Sequence, residues 1–352
     1  MKKDFFEKNI VHLFTLTPLI YILSNTLLDI TAILISIFIL LKYSNNLRVN
    51  ITFYFFIVFT SLGSIISLNS EYILNYFILF RFILLIIFIY FLIHDENELD
   101  KFYLYSFIGL IIVAVINCLE FFFPETFNIG QKNFSPDGGV VRVAGLFRDE
   151  LISGSYLSFF IPFGLIFFIQ KKIKFVYSIL FILLTFYGVL LSGERSALLS
   201  IIIFIGLYLI KKLKGNFILF FILFIITVII FYFNYYLFKR YTIDIYYSLV
   251  LLSESNYIGL FWSSIILSFE NIKTILVGNG AQSFENICNQ SKDIYINSIY
   301  LCNKHPHNFY LEILYSFGIF PFIFLLYLYF KTLLDFIKNF MKLNDKYYIL
   351  YI

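Results

Sequence analysis

Two histidines and an asparagine stand close together in "HPHNFYLEILYSFG", residues 305–318. His305 and His307 are two residues apart, and Asn308 directly precedes an apolar run that begins at Phe309. Imidazole has an unperturbed pKa of about 6.5, so histidine is suited to take a proton near neutrality. The pattern indicates His307 as a general base, because the N–H groups at the start of the next helix favour a neutral imidazole. The alternative is that both histidines are interfacial polar residues without a catalytic role.

Asn308 is predicted either to cap that helix or to donate to a substrate. Glu312 lies one helical turn further on and is a candidate to hold Asn308 in place. His305 is separated from the helix by Pro306, which places it in the end of the preceding loop.

Arginine is scarce in this chain, with six residues against twenty lysines. A guanidinium keeps its charge and binds phosphate bidentately, so arginine at a protected position suggests a phosphate ligand. The candidates are Arg142, Arg148 and Arg195. The alternative for each is an interfacial anchor whose charged end reaches the headgroup layer.

The composition indicates which kind of protein must position these groups. Apolar residues make up 61% of the chain and charged residues 14%, which is far from the balance of a soluble domain. The sequence therefore predicts an all-α polytopic membrane protein, a single integral membrane domain over 1–352, with about 10–11 transmembrane helices and one large extracytoplasmic loop. The clearest runs are 72–93, 102–123, 151–169, 173–191, 217–238 and 309–330, and the less regular ones are 11–23, 27–41, 51–68 and 197–210.

The lysines predict the orientation. With a cytoplasmic N-terminus, 15 of the 20 lysines fall on the inner side, as the positive-inside rule requires. Arg142, Arg148, Arg195 and Arg240 then all fall outside. No cleavable signal peptide is expected, because "MKKDFFEKNI" leads straight into the first apolar run.

Arg81 lies about ten residues into the run 72–93, where a charge costs about 2.5–3.5 kcal/mol on insertion scales. It should therefore face the bundle interior or a wet cavity. It is either a ligand of the same phosphate group or part of a structural pair that reaches toward the outer headgroups.

Two outside segments are long enough to build a site. The first, 124–150, is rich in glycine and proline, with "PDGG" as its expected turn. The second is the large extracytoplasmic loop, 239–307. Within it we expect an amphipathic helix around Trp262 that lies in the headgroup layer. "VGNGAQSF" should then supply a helix C-cap and a turn.

Cys288 and Cys302 lie 14 positions apart in the second segment. An extracytoplasmic loop is oxidising, so a disulfide is the favoured prediction. A metal site that adds His305 and His307, or a pair of free thiols, is the alternative.

Three stretches resemble the O-antigen ligase and polymerase superfamily of bacterial membrane glycosyltransferases. "RVAGLFRDELISGSYLSFFIP" resembles its Arg-x-x-Gly-x-Phe motif, and "LLSGERSALLS" resembles its Ser-x-x-Arg break between two spans. "HPHNFYLEILYSFGIF" resembles its His-Asn segment, and "ILVGNGAQSF" its preceding glycine-rich turn. The O-antigen ligase-like region spans 140–325. Family members continue with one or two more helices, so we expect either a short member or a fragment.

The resemblance implies transfer of a glycan from undecaprenyl diphosphate to an acceptor sugar hydroxyl, with no cofactor and no metal. It implies a site on the periplasmic face of the bacterial inner membrane, with membrane lipids around it and no nucleic-acid partner. The acceptor is lipid A–core or another glycan. Carboxylates that are candidates to orient the arginines and Asn308 are Glu150, Glu194 and Glu312.

Three functions are compatible with these residues. A ligase joins the glycan to lipid A–core, and a polymerase joins repeat units to one another. A transporter of lipid-linked sugars is disfavoured, because the polar residues cluster on one face instead of at the midplane. We expect a ligase, since a single His-Asn segment after one dominant loop is typical of that branch.

Overall fold

The computed structural model describes residues 11–24, 27–28, 30–32, 34–35, 96–130, 132–134, 140–148, 152–212, 256–280, 283–291, 302 and 309–339. The predicted spans 51–68, 72–93 and 217–238 lie outside these residues. The chain forms two compact units. Unit 1 comprises Met1–Ile35, Ile87–Ile243 and Phe336–Ile352, and unit 2 comprises Ser36–Ile86 and Asp244–Asp335.

The described part of unit 1 is a helical bundle. Its helices are α1 (Thr17–Leu23), α2 (Glu96–Phe122), α3 (Ser153–Gln170), α4 (Phe175–Ser192) and α5 (Arg195–Lys212). α2 packs against both α3 and α4 through aromatic side chains, and Phe107 contacts Phe167, Phe168 and Phe181. Tyr156 of α3 is buried and donates to the Pro18 carbonyl, 2.9 Å away, which ties α1 to the bundle.

Three of these helices are long and apolar enough to cross a membrane: Asn97–Phe122, Ser153–Gln170 and Phe175–Ser192. They correspond to the predicted spans 102–123, 151–169 and 173–191. A shorter apolar stretch, Ser196–Tyr208, lies within α5. The described residues are thus mostly helical, as expected for a polytopic membrane protein, and their apolar runs continue unbroken for the length that a hydrocarbon core requires.

Lysines and arginines lie at opposite ends of this bundle. The C-terminus of α2, the N-terminus of α3 and the C-terminus of α4 share one end, since Asn117 of α2 donates to the Ser153 hydroxyl and the Gly188 carbonyl. The N-terminus of α5 lies at the same end, because only Gly193 and Glu194 separate it from α4. The segments that carry Arg142, Arg148 and Arg195 are at that end. The other end carries Lys101, Lys171, Lys172, Lys174, Lys211 and Lys212. One described lysine departs from this pattern: Lys132 lies at the arginine end, where its ammonium donates to the Pro124 and Phe127 carbonyls at 2.7 and 2.6 Å.

A small hairpin interrupts the helical pattern between α2 and α3. β1 (Lys132–Phe134) pairs antiparallel with β2 (Val140–Val143), with Asn133 opposite Arg142. The two strands flank the "PDGG" sequence, which lies outside the described residues. A 3₁₀ helix (Gly145–Phe147) follows β2.

Unit 2 contains α6 (Asn256–Ser268), α7 (Ile272–Val277), α8 (Phe284–Ser291), α9 (Phe309–Phe317) and the greater part of α10 (Ile319–Asn339). The prediction of one span over 309–330 is wrong. Gly318, at φ 84°, ends α9 after nine residues, and its N–H bonds to the Leu314 carbonyl. Pro321 falls in the first turn of α10, where a missing N–H is tolerated.

The inner face of α6 is lined with serine, and its outer face is apolar. Ser263, Ser264 and Ser268 are buried, and Ser264 and Ser268 donate to carbonyls of their own helix. Trp262 and Ile265 are exposed. Small residues whose hydroxyl groups make their hydrogen bonds within the helix allow neighbouring helices to pack closely, as is common in membrane proteins.

Candidate functional site

Arg142 connects two of the family-like motifs. It lies on β2, and its Nε donates to the Ser192 carbonyl at the end of α4, 2.9 Å away. Arg142 is the first residue of the Arg-x-x-Gly-x-Phe motif, and Ser192 is the first of the Ser-x-x-Arg motif. The bond satisfies one of the carbonyls that α4 leaves unpaired at its C-terminus. Part of this guanidinium therefore has a structural partner.

Glu194 links the Ser-x-x-Arg motif to the start of α3, which follows the Arg-x-x-Gly-x-Phe motif. Its carboxylate accepts the backbone N–H groups of Gly154 and Ser155, at 2.7 and 3.1 Å, and the Ser155 hydroxyl. These groups form the N-terminus of α3, where a negative charge is stabilised by the helix dipole. The sequence analysis assigned Glu194 to orient arginines, but the partners that the structure describes are the α3 N-terminus.

The break between α4 and α5 consists of Gly193 and Glu194. Gly193 has φ 68°, a left-handed conformation that favours glycine. The Glu194 carbonyl accepts the Leu198 N–H, so this residue starts α5 with its backbone and caps α3 with its side chain. Arg195 is the first residue of α5 and directly follows the short break between two helices that the sequence predicted.

Arg148 occupies an unusual backbone conformation. It follows the 3₁₀ helix with φ 55° and ψ −99°, and its side chain is exposed. A non-glycine residue in such a region costs about 1–3 kcal/mol, and such residues persist where the surrounding structure holds them. Arg148 is one of two non-glycine residues with positive φ among those the structure describes.

Two buried polar residues of α2 were missed by the sequence analysis. Glu120 is fully buried and accepts the N–H groups of Ile129, Gly130 and Gly145. Asn117 is also fully buried, and its amide donates to the Ser153 hydroxyl and the Gly188 carbonyl at 3.2 and 3.1 Å. The available signal was a carboxylate and an amide inside an apolar run, which mark a functional or structural polar contact in a membrane helix.

In unit 2, the structure joins Cys288 to Cys302 by a disulfide, the pairing that the sequence favoured, with 5.6 Å between the Cα atoms. Cys288 is fully buried in a cluster with Leu260, Phe284 and Tyr315. Cysteines joined in a disulfide do not supply thiolates, so the alternative metal site with His305 and His307 loses two of its four ligands. Among the described residues, no group of three or more His, Cys, Asp and Glu side chains could hold a metal ion.

The glycine-rich turn contacts the end of α9. Gly278 is the C-cap of α7, as predicted, with φ 79°. The next two N–H groups, of Asn279 and Gly280, donate to the Tyr315 and Ser316 carbonyls at 2.8 and 3.1 Å. These bonds satisfy carbonyls that α9 would otherwise leave unpaired at its C-terminus.

Glycine is required on both sides of this contact. A Cβ on Gly278 would lie 2.4 Å from the Ser316 carbonyl, and a Cβ on Gly318 would lie 2.5 Å from the Leu276 carbonyl oxygen. The glycine-rich turn and the His-Asn segment are thus packed backbone to backbone. Together with the disulfide, this contact fixes the described residues on both sides of 303–308.

Several predicted site residues lie outside the described residues: Arg81, Glu150, His305, His307, Asn308 and Arg240. Glu312 is described, half-buried in the first turn of α9. Of the predicted arginines, the structure brings Arg142, Arg148 and the backbone of Arg195 to one end of unit 1.

Comparison with known proteins agrees with these motifs. No curated protein and no solved structure matches the chain. Residues 179–326 match the model of the family described as O-antigen ligase. The match covers the Ser-x-x-Arg break, the glycine-rich turn and the His-Asn segment, and the Arg-x-x-Gly-x-Phe motif precedes it. Residues 179–326 are therefore similar to the O-antigen ligase family, which confirms the predicted resemblance of this chain to the O-antigen ligase and polymerase superfamily.

Proposed function

We propose that this protein is an O-antigen ligase-like glycosyltransferase on the outer face of a bacterial inner membrane. It moves a glycan from undecaprenyl diphosphate to an acceptor sugar hydroxyl, with lipid A–core as the acceptor. The main support is the arrangement in unit 1, where Arg142 ties the Arg-x-x-Gly-x-Phe motif to the Ser-x-x-Arg motif of the matched region, and Glu194 ties the latter motif to the start of α3.

The proposed chemistry is a single displacement at the anomeric carbon of the donor glycan. The acceptor oxygen forms a bond to that carbon while the bond from carbon to the diphosphate oxygen breaks. The leaving diphosphate takes the electron pair, and the acceptor proton passes to His307. Negative charge therefore grows on the diphosphate oxygens in the transition state, and fixed cations aimed there lower the barrier.

In this proposal Arg142, Arg148 and Arg195 bind the diphosphate, with Arg81 as a further ligand. This assignment is supported by the location of the described arginine segments at one end of unit 1. Of the lysines described in that bundle, only Lys132 lies at the same end. Asn308 donates to sugar or phosphate. Glu312 supports Asn308, and Glu150 supports the arginine of its own motif. The family resemblance implies that no nucleotide and no metal take part.

His307 is proposed as the base because it directly precedes Asn308 in the family-like segment. The segment is bounded by anchored residues: Cys302 by its disulfide and Phe309 by α9, which packs against α6. Orientation is part of the efficiency of a base, and the described residues on both sides of His307 are anchored.

The test is the polysaccharide profile of a deletion strain, with the same strain complemented by the intact gene as the control. Accumulation of undecaprenyl-linked polymer is the expected result and identifies a ligase. Acceptor that carries single repeat units would identify a polymerase instead, which the same family match allows. An unchanged profile would contradict both assignments.

A further inference from the structure

Glu120 binds both ends of the loop that carries Arg142 and Arg148. Its Oε1 accepts the N–H groups of Ile129 and Gly130 at 2.8 and 2.6 Å, just after the loop leaves α2. Its Oε2 accepts the Gly145 N–H at 2.9 Å, near the other end of the loop. The side chain is fully buried, so these donors replace the water that an exposed carboxylate would have.

Gly145 has little freedom to move from this position. Its φ of 61° is a left-handed conformation, and a Cβ here would lie 2.4 Å from Asn117 Oδ1. The backbone of Gly145 also packs against Gly130, because a Cβ added to Gly130 would lie 2.3 Å from the Gly145 carbonyl oxygen. The carboxylate of Glu120 thus fixes a glycine that is enclosed by backbone and by Asn117.

Arg148 is connected to Gly145 by one rigid turn. The 3₁₀ helix Gly145–Phe147 begins at this glycine, and the Arg148 N–H donates back to the Gly145 carbonyl at 3.3 Å. Phe147 is buried, with its ring against Tyr21 and Tyr156. The exposed Arg148 side chain therefore leaves a turn that is held at its start by Glu120 and at its end by an aromatic contact.

We propose that Glu120 is a positioning residue, which aims Arg148 at the diphosphate of the lipid-linked donor. The inference rests on the proposed function for the identity of that ligand. Three backbone N–H groups converge on one carboxylate, and charge-assisted bonds of this kind are stronger than neutral ones. A glutamine at this position would turn an NH₂ group toward either Gly145 or the Ile129–Gly130 pair, where a donor already points.

The test measures binding of farnesyl diphosphate, a short polyprenyl diphosphate, to the full-length protein in nanodiscs by titration calorimetry. Glu120→Gln should weaken binding about tenfold, since a charge-assisted bond that positions Arg148 is lost. The matched control is Glu125→Gln, the same chemical change at an exposed position five residues further along. This control should bind the probe like the wild type.

A purely structural role is separated from a positioning role by a double-mutant cycle. Arg148→Ala should also weaken binding about tenfold, and adding Glu120→Gln to it should cause no further loss, because the two act through one contact. Losses that multiply would contradict the inference, as would Glu120→Gln with normal binding.

Binding of farnesyl diphosphate is also measured for Glu120→Asp, which keeps the carboxylate but moves it one methylene further from the loop N–H groups. It should fold and bind with an intermediate affinity. If neither variant yields folded protein, Glu120 is required for folding and the inference is wrong.

Glycan transfer is assayed separately. A wild type that binds the probe in a Glu120-dependent way but transfers no glycan would refute only the proposed function, whereas a wild type that does not bind the probe would refute the inference.

Discussion

Unit 1 holds its motif residues with buried carboxylates, whereas unit 2 holds its motif residues with a disulfide and glycine backbone. In unit 1, Glu120 accepts hydrogen bonds from N–H groups of a loop, and Glu194 accepts them from the N-terminus of α3. In unit 2, Cys288 is bonded to Cys302, and the turn at Gly278 caps α9 directly. The irregular backbone of unit 1 has N–H groups that need acceptors, and a carboxylate serves several at once. In unit 2 the described residues on either side of 303–308 are fixed by the disulfide and by the contact that caps α9.

The two units also differ in charge, because unit 1 is held by ionisable carboxylates and unit 2 by groups that carry no charge. The carboxylates can carry charge, so their removal changes both geometry and electrostatics in unit 1. A disulfide and a glycine contact carry no charge, so their loss should change geometry alone. In the proposed reaction, variants in the two units should therefore differ in which step they affect.

The largest effect is expected at the proposed base in unit 2. His307→Ala should lower glycan transfer at least about a hundredfold, since a general base contributes about 10²–10⁴-fold. Donor binding should persist, because the proposed phosphate ligands are arginines and Asn308, which the substitution leaves in place. The measurement is transfer rate and donor affinity in parallel, with His305→Ala as the matched control. Near-normal transfer by a well-expressed His307→Ala protein would disprove the mechanism.

Removal of the disulfide is expected to destabilise unit 2 by about 3 kcal/mol, the value for a closed loop of about 15 residues. Cys302→Ser should raise hydrogen exchange in α8 and α9 and leave α2 and α3 unchanged. Cys118→Ser is the control, because the Cys118 thiol is free and lies in α2. Equal exchange in wild type and Cys302→Ser would mean that the glycine contact alone holds the segment.

Gly278→Ala tests that glycine contact. The substitution adds a Cβ 2.4 Å from the Ser316 carbonyl and places alanine at φ 79°, which together should cost about 2–3 kcal/mol. Gly206→Ala in α5 is the matched control, because a Cβ there meets nothing within 4 Å. Alanine inside a helix should instead stabilise by about 0.5–1 kcal/mol. Thermal unfolding midpoints of the two variants should move in opposite directions.

The smallest effect is expected from Arg195→Lys, which keeps the charge and loses the planar fork. Transfer should fall about tenfold, equivalent to one charge-assisted hydrogen bond. Arg240→Lys should transfer at the wild-type rate, because Arg240 stands next to Lys239 after a predicted span and is expected to be an interface anchor. Equal rates for the two variants would refute bidentate binding of phosphate by Arg195.

The apolar helices of unit 1 were predictable to within a few residues, except that α2 starts earlier than its apolar run. The runs 151–169 and 173–191 coincide with α3 and α4, because their length and lack of charge leave few other structures. The break at Gly318 was not predicted. Apolar residues continue on both sides of Gly318, and a hydropathy pattern does not indicate where the backbone adopts a positive φ.

The contacts of the site were less predictable than its residue types. The sequence pointed to Arg142, Glu194 and the glycine-rich turn, but not to their partners, which are 50, 40 and about 36 residues away. Glu120 was overlooked because its partners are backbone N–H groups, which carry no residue signature. Pairing through backbone groups is set by the path of the chain, and one sequence does not encode that path in any local pattern.

The outward-facing indole of α6 has a practical consequence. Trp262 is the sole tryptophan of the chain, and 53% of its surface is accessible. Its fluorescence therefore originates from one known place, on the opposite face from the buried serines of the same helix. Emission wavelength and quenching of the unlabelled native protein report on the surroundings of α6 without contributions from any other indole.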